Sequence, residues 1–293
     1  MSRQKLNPAD ISTLTYNIIV MSLVLLSHQR VHVWYLEALL NLGAICFILF
    51  IVSVVDDRSN SVLLLLRNFY PLLFFPLFYK QVGRISHILF AENLDSYLQR
   101  IEYAIFGFQP SSRLAHLLPQ IWLAEYMHFA YSCFYLIMPA LGLLLYRRKD
   151  LFKEYLFTLC NAMFVCYLIF ILFPVAGPNA HSSNGFSKGF LFIPLMNSIS
   201  KVDIEAAAMP SSHVACAAVV LYYAWRYVPR LRIVFATICI SLMISTVYCG
   251  YHYAIDVFGG LLTAAVVIGL STWACRRRTG PHAKVYGAIS ETT

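Results

Sequence analysis

The chain is 293 residues long, 59% hydrophobic and only 12% charged, with mean hydropathy +0.66 and a formal net charge of +8. A soluble domain needs roughly a quarter of its residues charged to coat its surface, so lipid must solvate most of this one, which excludes a disordered chain, a soluble enzyme and a nucleic-acid binder. The excess of Lys and Arg then reports membrane sidedness rather than an acidic partner.

Apolar stretches long enough to cross a hydrocarbon core of about 30 Å fall in chain order at about 11–27, 33–55, 61–82, 120–146, 152–174, 210–228, 230–250 and 254–275. The first carries Thr13, Thr15 and Asn17. No small-x-small cleavage pattern follows before Gln29-Arg30, so it reads as a retained span. Between the third and fourth, Arg84, Glu92, Asp95, Arg100 and Glu102 alternate with Ile88, Leu89, Leu94, Leu98, Ile101 and Ile105, the pattern of an interfacial amphipathic helix ending at Gly107 and Pro110. The expected fold is therefore an all-α, multispan helical membrane protein of about eight transmembrane helices plus one interfacial helix. Its expected divisions are two N-terminal helices over 1–60, a catalytic membrane domain over 61–279 and a cytoplasmic tail over 280–293.

With the N-terminus inside, Lys and Arg divide roughly two to one in favour of the cytoplasmic segments, led by Arg147, Arg148, Lys149 and Lys153 and by Arg276, Arg277 and Arg278. Both termini are expected to be cytoplasmic, and the long loop 175–209 to lie outside. The eight cysteines form neither C-x-x-C pairs nor a regular framework and read as packing residues. No N-x-S/T sequon occurs, which favours a bacterial inner membrane.

The outer loop re-enters the membrane at Met209-Pro210-Ser211-Ser212-His213, so the sixth span is expected to open on Pro210. Ser211 and Ser212 fall at a helix N-terminus, where unpaired N–H groups and the positive dipole end attract a phosphate. At the next outer junction His252 and Asp256 are four apart and can share a helix face. A carboxylate there can take the proton of one imidazole nitrogen and leave the other as nucleophile. One histidine near an interface is more often a structural hydrogen-bonder than a catalyst. Here parity adds weight, because His213 opens an inward-going span and His252 follows the next outward-going one, which brings both to one depth.

At these residues the chain resembles the type 2 phosphatidic acid phosphatase superfamily, whose members carry P-S-G-H and S-R-x5-H-x3-D at successive outer helix ends. Pro210 to His213 and Ser245-Thr246 through His252 to Asp256 match in order and spacing, and Gly259-Gly260 follows as in the family. The likeness is strongest over 170–275, and the segment from Leu94 to Pro110 looks like the inositol phosphorylceramide synthase branch. The resemblance implies that His252 attacks phosphorus to form a phosphohistidine, that Asp256 orients it, that His213 protonates the leaving oxygen and that Ser211 and Ser212 hold phosphoryl oxygens. It requires no metal and no other cofactor.

Three cations of the family pattern are missing. The first motif, K-x6-R-P, has Phe170 and Gly177 where Lys and Arg belong, and the third has Thr246 for its arginine. Charge stabilisation is the main service of a phosphoryl-transfer site, and a monoester dianion suffers most from losing it. The expected activity is thus transfer of a phosphate-linked head group from a phosphodiester lipid to an acceptor lipid. His181 and Lys188 in the outer loop are candidate substitute cations, against the plainer reading of a solvated loop. Two alternatives stay open: hydrolysis of a lipid phosphate or isoprenyl pyrophosphate, with water as acceptor, and a non-catalytic transporter or scaffold on the same fold. Glu37, Arg67, Glu125 and His128 lie at membrane depth and are expected to be structural, and Tyr222, Tyr223, Trp225 and Tyr227 to belong to an interfacial belt.

Overall fold

In hydrocarbon each backbone N–H and C=O must be bonded within the protein, which a helix does inside its own segment, and the expected apolar spans are helical. The computed structural model describes residues 6–56, 59–178, 189–200 and 204–279. The helices are α1 (Pro8–Leu26), α2 (Trp34–Val54), α3 (Ser61–Ile85), α4 (Asp95–Phe106), α5 (Pro110–Leu117), α6 (Ile121–Ser132), α7 (Phe134–Leu145), α8 (Lys149–Leu172), α9 (Phe192–Ser200), α10 (Ser212–Tyr227), α11 (Arg232–Tyr248) and α12 (Ala254–Thr279). Among the described residues the one departure from helix and turn is an isolated parallel bridge between Val175 and Ala207.

The all-α multispan expectation holds. Five helices (α1, α2, α3, α8 and α12) are long and apolar enough to cross a membrane, and α6 with α7 makes a sixth if the pair, bent by 48°, is one span. The two remaining expected spans are α10 and α11, shorter at 16 and 17 residues. The bend falls at Cys133, ahead of Pro139, whose missing N–H removes one rung of the α7 ladder.

Helix α8 is the axis. Leu159, Cys160, Ala162, Cys166 and Phe170 along it are all fully buried, and α1, α3, α7, α10 and α12 pack around it. Cys133, Cys160, Cys166, Cys216, Cys239 and Cys249 are buried with free thiols, in keeping with a packing role. On the outside, Leu39, Phe50, Leu73, Leu136 and Leu262 are well exposed, which is the surface that lipid solvates.

Buried charges pair. Arg67 donates through both terminal nitrogens to Asp10, at 2.9 and 2.6 Å, and Tyr70 O–H donates to the same carboxylate at 2.8 Å. Glu37 accepts from Arg84 and from Gln81 Nε2. Glu125 accepts the backbone N–H groups of Phe190, Leu191 and Phe192, so it fixes the entry to α9. Tyr223 departs from the belt expected of it: it is fully buried, and its O–H donates to Glu154 at 3.0 Å.

The amphipathic segment differs from expectation in its extent. It is not one helix from residue 84, because α3 continues to Ile85, a non-helical stretch follows, and α4 and α5 form separately. Helix α4 turns its carboxylates inward. Asp95, Leu98 and Glu102 are buried, whereas Tyr97, Ile101, Tyr103 and Ile105 are exposed. Beside a bilayer the apolar side gains by facing out, and the carboxylates find donors within the protein.

Candidate active site

The motif residues meet at one end of the bundle, where α10 and α12 begin. Helix α10 starts at Ser212, with Ser211 as its N-cap: Ser211 Oγ accepts the Val214 N–H at 3.3 Å, and Pro210 lies one residue ahead of the cap rather than in the first turn. The first turn of α12 lies against this start, since Ser211 N–H donates to the Asp256 carbonyl at 3.0 Å. That approach requires glycine at 260, where a Cβ would come within 2.5 Å of the Ser211 carbonyl oxygen.

His252 sits in the turn between α11 and α12, buried, with its N–H on the Thr246 carbonyl at 3.0 Å. Its Nδ1 lies 2.8 Å from the Ala208 carbonyl oxygen and 3.5 Å from Asp256 Oδ2. A carbonyl can only accept, so Nδ1 carries the proton and Nε2 holds the lone pair in the neutral ring. Asp256 Oδ2 is taken up mainly by the Tyr253 N–H at 2.7 Å. The carboxylate therefore anchors the turn that carries His252, and the nearer orienting group of the ring is the Ala208 carbonyl.

His213 stands opposite. Its Nδ1 is 3.4 Å from His252 Nε2 and 3.5 Å from the Tyr131 hydroxyl. Its ring is stacked on Tyr131, with centroids 4.5 Å apart, and packs on Phe134 at 4.2 Å. The two aromatics flank the bend between α6 and α7, so the bend aims both at His213.

The three positions that depart from the family pattern carry no replacement cation. Phe170 is part of the buried core. Gly177 adopts φ 94°, and a Cβ there would meet the Tyr251 carbonyl oxygen at 2.7 Å. Thr246 Oγ1 bonds back to the Met243 carbonyl at 2.7 Å. Among the described residues no Lys or Arg hydrogen-bonds Ser211, Ser212, His213, His252 or Asp256. His181 and Lys188 lie outside the described residues.

Sequence reasoning missed the second layer. Asp95, at the start of α4, accepts from Ala176 and Gly177 N–H at 2.8 and 2.9 Å and from the Tyr253 hydroxyl at 3.0 Å. Two turns further along the same face, Glu102 Oε1 accepts the Ile255 N–H at 3.2 Å at the start of α12. Burial pushes the Glu102 carboxyl up to about 7 against the opposing pull of the Ile255 and Ala254 N–H groups, with the Asp256 charge adding to the rise. The available signal was a pair of acids seven apart within an otherwise amphipathic helix.

The fold is thus that of a multispan helical membrane protein, with two histidines and a carboxylate brought together at one end of its bundle. Residues 96–270, more than half of the chain, match the PAP2 superfamily, and the chain is a member of that family. No curated protein and no solved structure matches it. Membership supports an enzyme and points to lipid phosphatase or phosphotransferase chemistry on lipid substrates in a bilayer.

Proposed function

We propose that the protein is a lipid phosphotransferase that moves a phosphate-linked head group from a phosphodiester lipid to an acceptor lipid through a phosphohistidine at His252, in the manner of the inositol phosphorylceramide synthase-like branch. The observation that carries the reading is the juxtaposition of His252 Nε2 and His213 Nδ1 at 3.4 Å, with His252 Nδ1 held by a carbonyl. In the first step the Nε2 lone pair forms a bond to phosphorus, the bond from phosphorus to the leaving lipid oxygen breaks, and His213 gives that oxygen a proton. In the second step the acceptor hydroxyl attacks phosphorus, His213 takes its proton, and the N–P bond breaks to restore His252.

In-line displacement puts the leaving oxygen on the far side of phosphorus from Nε2. The proton donor must then stand further away than 3.4 Å, so substrate entry parts the two imidazoles. Ser211 and Ser212, at the start of α10, supply hydroxyl and backbone N–H donors to phosphoryl oxygens.

The preference for diesters rests on Phe170, Gly177 and Thr246, which leave a doubly charged monoester without the cations it needs. His181 and Lys188 are retained as candidate substitutes. The Lys and Arg bias supports cytoplasmic termini and an active site on the outer face, the missing sequon supports a bacterial inner membrane, and the catalytic domain is taken as 61–279. Turnover of labelled phosphodiester lipids against phosphatidic acid by purified protein is the test. The diester is expected to be turned over faster by about tenfold or more, and faster turnover of phosphatidic acid would overturn the assignment in favour of a phosphatase.

A further inference from the structure

We propose that Asp95 is the positioning residue of this site, ordering the turn at residues 174–178 and the His252 segment together at the place where the family's first motif has lost its arginine. The proposal rests on the reading of His252 as nucleophile.

Both oxygens of the Asp95 carboxylate are engaged by groups on the catalytic turns. Oδ2 takes the Ala176 N–H, while Oδ1 takes the Gly177 N–H and the Tyr253 O–H. Tyr253 is the next residue after His252, and its hydroxyl is fixed from a second side by Gln99 Nε2 at 2.9 Å. One line of contacts therefore runs from Asp95 through Tyr253 directly to the His252 backbone. A second runs through the other turn: Leu94 N–H donates to the Pro174 carbonyl at 2.8 Å, and Ala208 N–H donates to the Val175 carbonyl at 2.9 Å. The Ala208 carbonyl is in turn the acceptor that fixes His252 Nδ1. Asp95 thus holds the nucleophile from its backbone side and from its ring side.

The departure at 177 fits this arrangement. With φ at 94° and the Tyr251 carbonyl in the way, no side chain is accommodated there, so the turn is pinned by a carboxylate accepting its N–H groups. A carboxylate gripped by three donors is a stiff joint, since bonds to a charged acceptor are about twice as strong as neutral ones.

The test measures kcat, KM and thermal stability for wild type, Asp95→Asn, Tyr253→Phe and the double variant, with His252→Ala as reference. Asn keeps one acceptor oxygen in place of two and sets a donor against one turn N–H, so Asp95→Asn is expected to lower kcat by about 10- to 100-fold, with KM within about twofold and a lowered melting temperature in a protein still folded at the assay temperature. Tyr253→Phe is expected to lower kcat less, and the double variant to be no worse than Asp95→Asn, because both act through one joint. Wild-type kcat in Asp95→Asn, or additive losses in the double variant, would overturn the proposal. Should Asp95→Asn fail to fold, Tyr253→Phe leaves both turn N–H bonds intact and decides alone: an unchanged kcat sinks the proposal. Full activity in His252→Ala would instead remove the catalytic reading beneath it, so the two failures are separable.

Discussion

At the scale of single residues, the site depends on positions where the backbone leaves no choice of side chain. Gly177→Ala combines a left-handed φ with a Cβ 2.7 Å from a carbonyl oxygen. It is expected to cost about 1–3 kcal/mol and to loosen the turn that Asp95 holds. Thermal denaturation in detergent measures this, and a variant as stable as wild type would contradict the strain described. The motif residues themselves were legible in the sequence. His213 and Ser211 belong to one helix start, and His252 and Asp256 to one turn, so short spacings encode their relation. Asp95 was not legible, because its partners lie 81, 82 and 158 residues away. A charged residue in an amphipathic segment also looks like part of a solvated face. The nearer partner of His252 Nδ1 was hidden for the same reason: a main-chain carbonyl 44 residues distant leaves no mark in residue types.

At the scale of elements, α4 shows where pattern reading reached its limit. Its period is helical, as the alternation indicated, but the alternation did not settle which face turns into the protein. Hydrophobic periodicity says which residues share a side, and only the solvent says which side turns out. The same helix carries a pH dependence. Glu102 titrates near 7 in the folded protein, above the ordinary carboxylate value of about 4.3. The native state therefore binds more protons than the unfolded one between those values, so the stability is fully present below the lower value and declines as pH rises towards 7. The melting temperature of the wild type is expected to fall from pH 5 to pH 8, and Glu102→Gln, which keeps an acceptor for Ile255, to flatten that part of the curve. Parallel curves for the two proteins would show that Glu102 does not titrate in this window. The bend between α6 and α7 was likewise not read, since the stretch from 121 to 145 is apolar apart from Glu125, His128 and Ser132, and its proline, Pro139, lies six residues past the bend at Cys133, yet the bend sets the two rings against His213.

At the scale of the whole molecule, the bundle is drawn together by a few buried polar joints within a large apolar contact surface. Helix α1 is bound into it through Asp10 with Arg67 and through Tyr16 stacked on Phe164, with ring centroids 4.5 Å apart. Removing one partner of such a buried pair costs about 3–5 kcal/mol, so the N-terminal helices are part of the scaffold on which the site stands. The helical class was legible from the length of the apolar runs, because stretches of about 20 residues suit a spanning helix, whereas a barrel strand crosses in about 9–11. The coming together of α10 and α12 at one end followed from counting spans. What the count could not supply is how closely the two helices approach, which is decided by Gly260 against the Ser211 carbonyl.

The central claim is that this end of the bundle transfers a head group through His252. The direct measurement incubates purified wild type and His252→Ala with a labelled phosphodiester lipid, with and without a diacylglycerol or ceramide acceptor, and resolves head group transferred to the acceptor from head-group phosphate released to water. The account predicts acceptor-dependent transfer by the wild type and a loss of about 10³-fold or more in the variant. Transfer that survives in His252→Ala, or release of head-group phosphate to water with no labelled acceptor product, would contradict it.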